Sequence, residues 1–228
     1  MELFKYFISG LLLIFFIYFN LYEIIISEVI IICSLLLLPK LIGKINDLIR
    51  SLLFFLPYIL PIFVFRVDIF EGYSNHLLIF IFGLMFVVLL HFFNISEYRI
   101  MFDPALIDFM KPINLNNFLF RLLESYGSAI TEEIFYRGFV LFILISYINP
   151  IYAILITSLL FISNHLYNRH AEDRFTYKNL FMIFCLSCVL SGVFYYTQNI
   201  FYCIVLHLIY NTPQIVYNFI LYKKGELK

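Results

Sequence analysis

The chain has 228 residues and a net charge of zero; 63% of it is hydrophobic, only 13% is charged, and the mean hydropathy is +0.95. Such a balance excludes an ordinary soluble domain, and the lack of a basic excess leaves no electrostatic footprint for nucleic acid. With 29 phenylalanines the apolar surface has to face lipid, so an all-α, polytopic membrane protein is expected.

Lys5 precedes an apolar run from Tyr6 to Phe19, and no small-x-small cleavage site follows at Asn20 to Glu23. The run is therefore read as a first span and not as a cleavable signal. A span needs about 20 apolar residues. On that requirement the sequence predicts about eight transmembrane helices, near 4–21, 23–38, 50–66, 76–95, 128–147, 150–167, 178–197 and 199–222. The second is short and carries Glu23 and Glu28, which blurs its limits. No repeat, low-complexity tract or flexible linker divides the spans, so residues 1–228 read as a single integral-membrane domain.

Loop charge sets the expected orientation. The 39–50 connection carries Lys40, Lys44 and Arg50 against Asp47, and the tail carries Lys223, Lys224 and Lys228 against Glu226. The turns at Ile148-Asn149-Pro150 and Thr197-Gln198-Asn199 are uncharged. The positive-inside rule then puts both termini in the cytoplasm, together with the 167–178 loop bearing Arg169, Arg174 and Lys178. His76 and His91, which flank the fourth span, and His170 in the charged loop read as interfacial. Between Asn114 and Tyr126, Leu115, Leu119, Leu122 and Tyr126 share one face, opposite Asn114, Asn117, Arg121 and Glu124. That pattern fits a helix lying in the cytoplasmic interface, or else an extended start of the fifth span. Cys33, Cys185, Cys188 and Cys203 all fall in apolar runs and read as packing residues.

Three clusters interrupt the apolar pattern. The first is Thr131-Glu132-Glu133-Ile134-Phe135-Tyr136-Arg137-Gly138. An ionisable group at membrane depth costs roughly 2.5–3.5 kcal/mol on insertion scales, so it persists where it pairs, lines a wet cavity or does chemistry. On a helix Glu133 and Arg137 stand four apart, in the favourable order for an ion pair. Glu132 is turned about 100° away and remains available. The second cluster is Phe161-Ile162-Ser163-Asn164-His165, at the cytoplasmic end of the sixth span. The third is His207-Leu208-Ile209-Tyr210-Asn211, which puts an imidazole and an amide on one face. Pro213 follows, and its missing N–H leaves the Ile209 carbonyl without its usual helical partner. The plain alternatives are a structural ion pair for the first cluster, an interfacial histidine with a packing Phe161 for the second, and polar groups packing helices together for the third. Together they place a carboxylate, two imidazoles and an amide on three helices, all on the cytoplasmic side of the midplane. Glutamate with histidine can activate water, and histidine with asparagine can donate to an oxyanion, an inventory for amide hydrolysis.

The three clusters, in this order, resemble the EExxxR, FxxxH and HxxxN/D motifs of the CPBP family of intramembrane endopeptidases, also called Abi or CAAX-protease-like. The resemblance covers roughly residues 115–215 as a catalytic core and leaves the first four spans outside. It implies that Glu132 and His165 activate water, that His207 and Asn211 stabilise the oxyanion, and that Glu133 and Arg137 support them. It also implies a substrate that is a membrane-bound or membrane-associated protein or peptide, met at the lipid bilayer. A metal-free glutamate mechanism without cofactors is expected. A zinc-dependent version would use two histidines and a carboxylate, but HExxH is absent and Asn211 is a poor zinc ligand. A non-enzymatic immunity or scaffold protein of the same fold is the rival class, against which the intact set of four residues stands. A proton-relay transporter comes third, unsupported by paired broken helices. The Ile-, Phe-, Tyr-, Asn- and Lys-heavy composition leans towards a bacterial cell membrane, and nothing in the chain names a client.

Overall fold

The computed structural model describes residues 2–42, 46–67, 76–167 and 176–226, and among these every regular element is helical. Lys44, Arg169, His170, Arg174 and Lys228, used above for orientation, lie outside the described residues. In chain order come α1 (Glu2–Tyr18), α2 (Tyr22–Leu37), a 3₁₀ turn (Leu38–Leu41), α3 (Asp47–Phe65), α4 (Leu77–Phe93), α5 (Ile95–Met101) and α6 (Pro104–Phe109). There follow α7 (Leu115–Glu133), a π-helical segment (Ile134–Leu141), α8 (Phe142–Leu144), α9 (Pro150–Tyr167), α10 (Tyr177–Thr197) and α11 (Ile200–Glu226).

Each of the eight expected spans coincides with a helix, but five helices are long and apolar enough to cross a membrane by length and composition. A sixth is added if α4 and α5, bent by 62° to one another, are taken as one broken span. The apolar part of α1 is short, running from Phe4 to Tyr18. The fifth predicted span differs most from expectation. No break separates an interfacial helix from a span: α7 runs directly into the π segment and α8, the extended-start alternative. Its apolar part, which carries Glu132, Glu133 and Arg137, is not among those five, although Phe135 to Leu141 are buried.

Local chemistry sets the helix limits. Asn46, Asp103, Asn114 and Thr176 cap α3, α6, α7 and α10 by accepting backbone N–H groups with their side chains. Arg66 and Gln198 end α3 and α10 in the left-handed region, at φ 53° and 49°. The molecule is apolar outside and partly polar within: Phe63, Leu78 and Tyr18 stand exposed, whereas Glu133 and Arg137 are fully buried. The π segment is the hub, touching α3, α9, α10 and α11. Gly83 brings α4 close to α10 and α11; a Cβ there would stand 2.7 Å from Leu206 Cδ1 and 2.9 Å from Val193 Cγ2. That close approach lays α4 beside the α11 turn that begins at His207.

Candidate active site

Glu133 is the centre of the buried polar cluster. Its Oε1 accepts from Arg137 Nη1 at 2.9 Å, the ion pair expected from the i,i+4 spacing. The same oxygen also accepts from His207 Nδ1 at 2.7 Å, a second partner that helical spacing does not reveal, because it arrives from α11. Arg137 is held in turn by Ser187 on α10, donating from Nη2 to the Ser187 carbonyl at 3.0 Å and to its Oγ at 2.9 Å. Its guanidinium carbon lies 5.2 Å from the centre of the Phe161 ring, a cation–π contact. Four helical segments are thus joined through two charged residues.

A carboxylate can only accept, so the His207 hydrogen on this side is on Nδ1. Its Nε2 faces the other glutamate and lies 3.9 Å from Glu132 Oε2. His165 donates from Nδ1 to its own helix's Phe161 carbonyl at 2.9 Å, which turns Nε2 away from that helix backbone. Phe161 separates the two imidazoles, with ring centres 4.4 Å from His165 and 6.1 Å from His207.

Two cavities border these groups. One, of about 400 Å³, lies between α2, α3, α7 and α9; Glu132 and His165 stand on its wall with Ser128, Phe55 and Glu124. The other, of about 240 Å³, is lined by His165, His207, Asn211 and Tyr210. His165 belongs to both walls. All four residues expected to do chemistry therefore gather around adjoining cavities, and both supporting residues are buried behind them. Among the described residues, no three histidine, cysteine, aspartate or glutamate side chains form a group arranged to hold a metal ion.

Three features escape sequence reasoning. Glu28 of α2 is buried and its two carboxylate oxygens accept from Asn164 Nδ2 at 3.2 and 3.0 Å. Asn164 Nδ2 also donates to the Tyr136 hydroxyl at 2.6 Å, tying the neighbours of His165 and Arg137 together. An acid within an apolar stretch was the signal available for Glu28, the same signal that marks Glu132. Ser187 carries no signal of its own. His91, expected at the interface, is half-buried in α4 and bonded to α5 and α11. Cys185, Cys188 and Cys203 are free thiols within α10 and α11, in keeping with a packing role.

Residues 114–213, which take in α7 through the middle of α11, match the family described as Type II CAAX prenyl endopeptidase Rce1-like. No curated protein and no solved structure matches the chain. The matched stretch contains all three motif clusters in order, and over it the chain is similar to the CPBP, CAAX-protease-like family of intramembrane endopeptidases.

Proposed function

We propose that the chain hydrolyses a peptide bond of a membrane-associated protein or peptide by a glutamate mechanism. Glu132, with His165, takes a proton from a water molecule in the larger cavity. The resulting hydroxide adds to the scissile carbonyl carbon, and the oxygen becomes an oxyanion facing His207 and Asn211. Collapse of this adduct breaks the C–N bond, and the proton held by Glu132 or His165 passes to the leaving amine. The products are a carboxylate and an amine, so atoms and charge balance.

The observation that carries the reading is the unequal treatment of the adjacent glutamates. Glu133 is fully buried and bonded to both Arg137 and His207. Glu132 sits on the cavity wall, 3.9 Å from His207 Nε2. Glu133 accepts from His207 Nδ1 and orients the ring, so that a ring carrying a hydrogen on Nε2 as well would donate to the oxyanion. Removing one such donor typically costs about 10²–10³ in rate.

The test is Glu132→Gln, assayed in vesicles with a membrane-anchored reporter peptide. Cleavage should be lost while detergent-solubilised protein unfolds at the same temperature as the parent. Retained cleavage would remove Glu132 from the mechanism.

A further inference from the structure

Ile209 lies between His207 and Asn211, on the α11 turn that carries both. In a regular helix its carbonyl would accept from the N–H of residue 213, which is Pro213 and has none. The helix nevertheless continues to Glu226. A buried backbone carbonyl left without a donor is costly.

The missing donor comes from another helix. His91 Nε2 lies 3.3 Å from the Ile209 carbonyl oxygen, 118 residues away in sequence. A carbonyl only accepts, so Nε2 carries the hydrogen. In the neutral ring Nδ1 then accepts from the Tyr98 hydroxyl of α5 at 2.8 Å. The ring also stacks on Tyr210, with centres 5.6 Å apart and planes 22° apart. Tyr98 reaches His91 because the chain bends by 62° between α4 and α5. The imidazole is thus fixed on three sides, and its one donor is aimed at the carbonyl that proline releases.

We propose that His91 is a positioning residue for hydrolysis, setting the pitch of the α11 turn that presents His207 and Asn211. This rests on the reading of those two residues as oxyanion donors. Without the His91 donor, the Ile209 carbonyl tilts towards other partners and rotates the turn around it. Donors that must stand about 2.7–3.1 Å from an oxyanion do not tolerate such rotation.

The test is a cycle of His91→Phe and Pro213→Ala, alone and together, with kcat and KM measured on the membrane-anchored reporter. Phenylalanine keeps an aromatic ring against Tyr210 but removes the donor; alanine restores the N–H that Ile209 lacks. His91→Phe should lower kcat about tenfold, the scale of a sub-ångström misplacement, with KM little changed. In the Pro213→Ala background most of that loss should disappear. His91→Gln, which retains an N–H donor, should recover turnover in the presence of Pro213. An equal loss in both backgrounds would overturn the proposal, as would unchanged kcat in His91→Phe. Asn211→Ala run alongside separates the two levels: if it too leaves turnover intact, the oxyanion reading has failed, and if it slows turnover while His91→Phe does not, only the positioning role has.

Discussion

Replacing Glu133 by glutamine should damage both stability and catalysis, and the two losses should be separable. The side chain is fully buried and its Oε1 serves Arg137 at 2.9 Å and His207 at 2.7 Å. Glutamine keeps a neutral acceptor but removes the charge opposite an equally buried guanidinium. Breaking one side of a buried pair typically costs about 3–5 kcal/mol. Ser187 still accepts from Nη2 at 2.9 and 3.0 Å, which argues for the lower end of that range. At about 1.4 kcal/mol per decade, 3 kcal/mol lowers the folded-to-unfolded ratio roughly a hundredfold. Catalysis should fall separately by about 10²–10³, because His207 loses the carboxylate that accepts from Nδ1 and orients its ring. The discriminating variant is Glu133→Gln with Arg137→Met, which removes both charges. Exchanging a whole buried ion pair for neutral groups is often close to neutral, so thermal stability in detergent should return while reporter cleavage stays low. A double variant as unstable as the single one would show that the Arg137 charge is not what Glu133 compensates. A double variant with parental cleavage would show that His207 does not depend on Glu133.

Glu28→Ala should destabilise the protein by about 1–3 kcal/mol, read from thermal unfolding in detergent, because it strips the buried Asn164 amide of its Glu28 acceptor; an unchanged midpoint would mean that Tyr136 alone satisfies Asn164. Thorough chelation should leave cleavage intact; stoichiometric metal by elemental analysis, with activity lost on removal and restored by zinc, would move His165 and His207 to a metal site. Reporter fusions should place Lys228 in the cytoplasm and Asn149 outside, following the lysine bias; an external signal at Lys228 would invert the topology.

What was legible from residues alone was whatever breaks an apolar pattern within one helix. Glu132, Glu133 and Arg137 are conspicuous because charge is expensive in such a setting, and their spacing alone pairs Glu133 with Arg137. Partners that arrive from other helices were not legible. The bond from His207 to Glu133 spans 74 residues, and that from Asn164 to Glu28 spans 136. Pro213 announces an orphaned carbonyl from sequence, yet the identity of its donor depends on how closely Gly83 lets α4 approach α11. The count of about eight spans stands at five or six by length and composition: the apolar part of α1 is short, and the stretch after α7 begins beside Glu132, Glu133 and Arg137.

The π-helical stretch Ile134–Leu141 has a consequence for how this protein can vary in length. Bonds to the fifth residue onward hold more chain per turn than an α-helix of equal rise, so the stretch behaves as a stored insertion. Removing one residue between Gly138 and Leu141 need not break the helix; it would let the coil tighten towards α pitch. The slack of the wide turns absorbs the missing residue, so the segments on either side keep nearly the same facing. Phe142 onward would meet the bilayer on its present face while Glu132 and Glu133 kept theirs. Single-residue deletions here should therefore be better tolerated than deletions within α9 or α10, where one lost residue turns everything beyond it by about 100°.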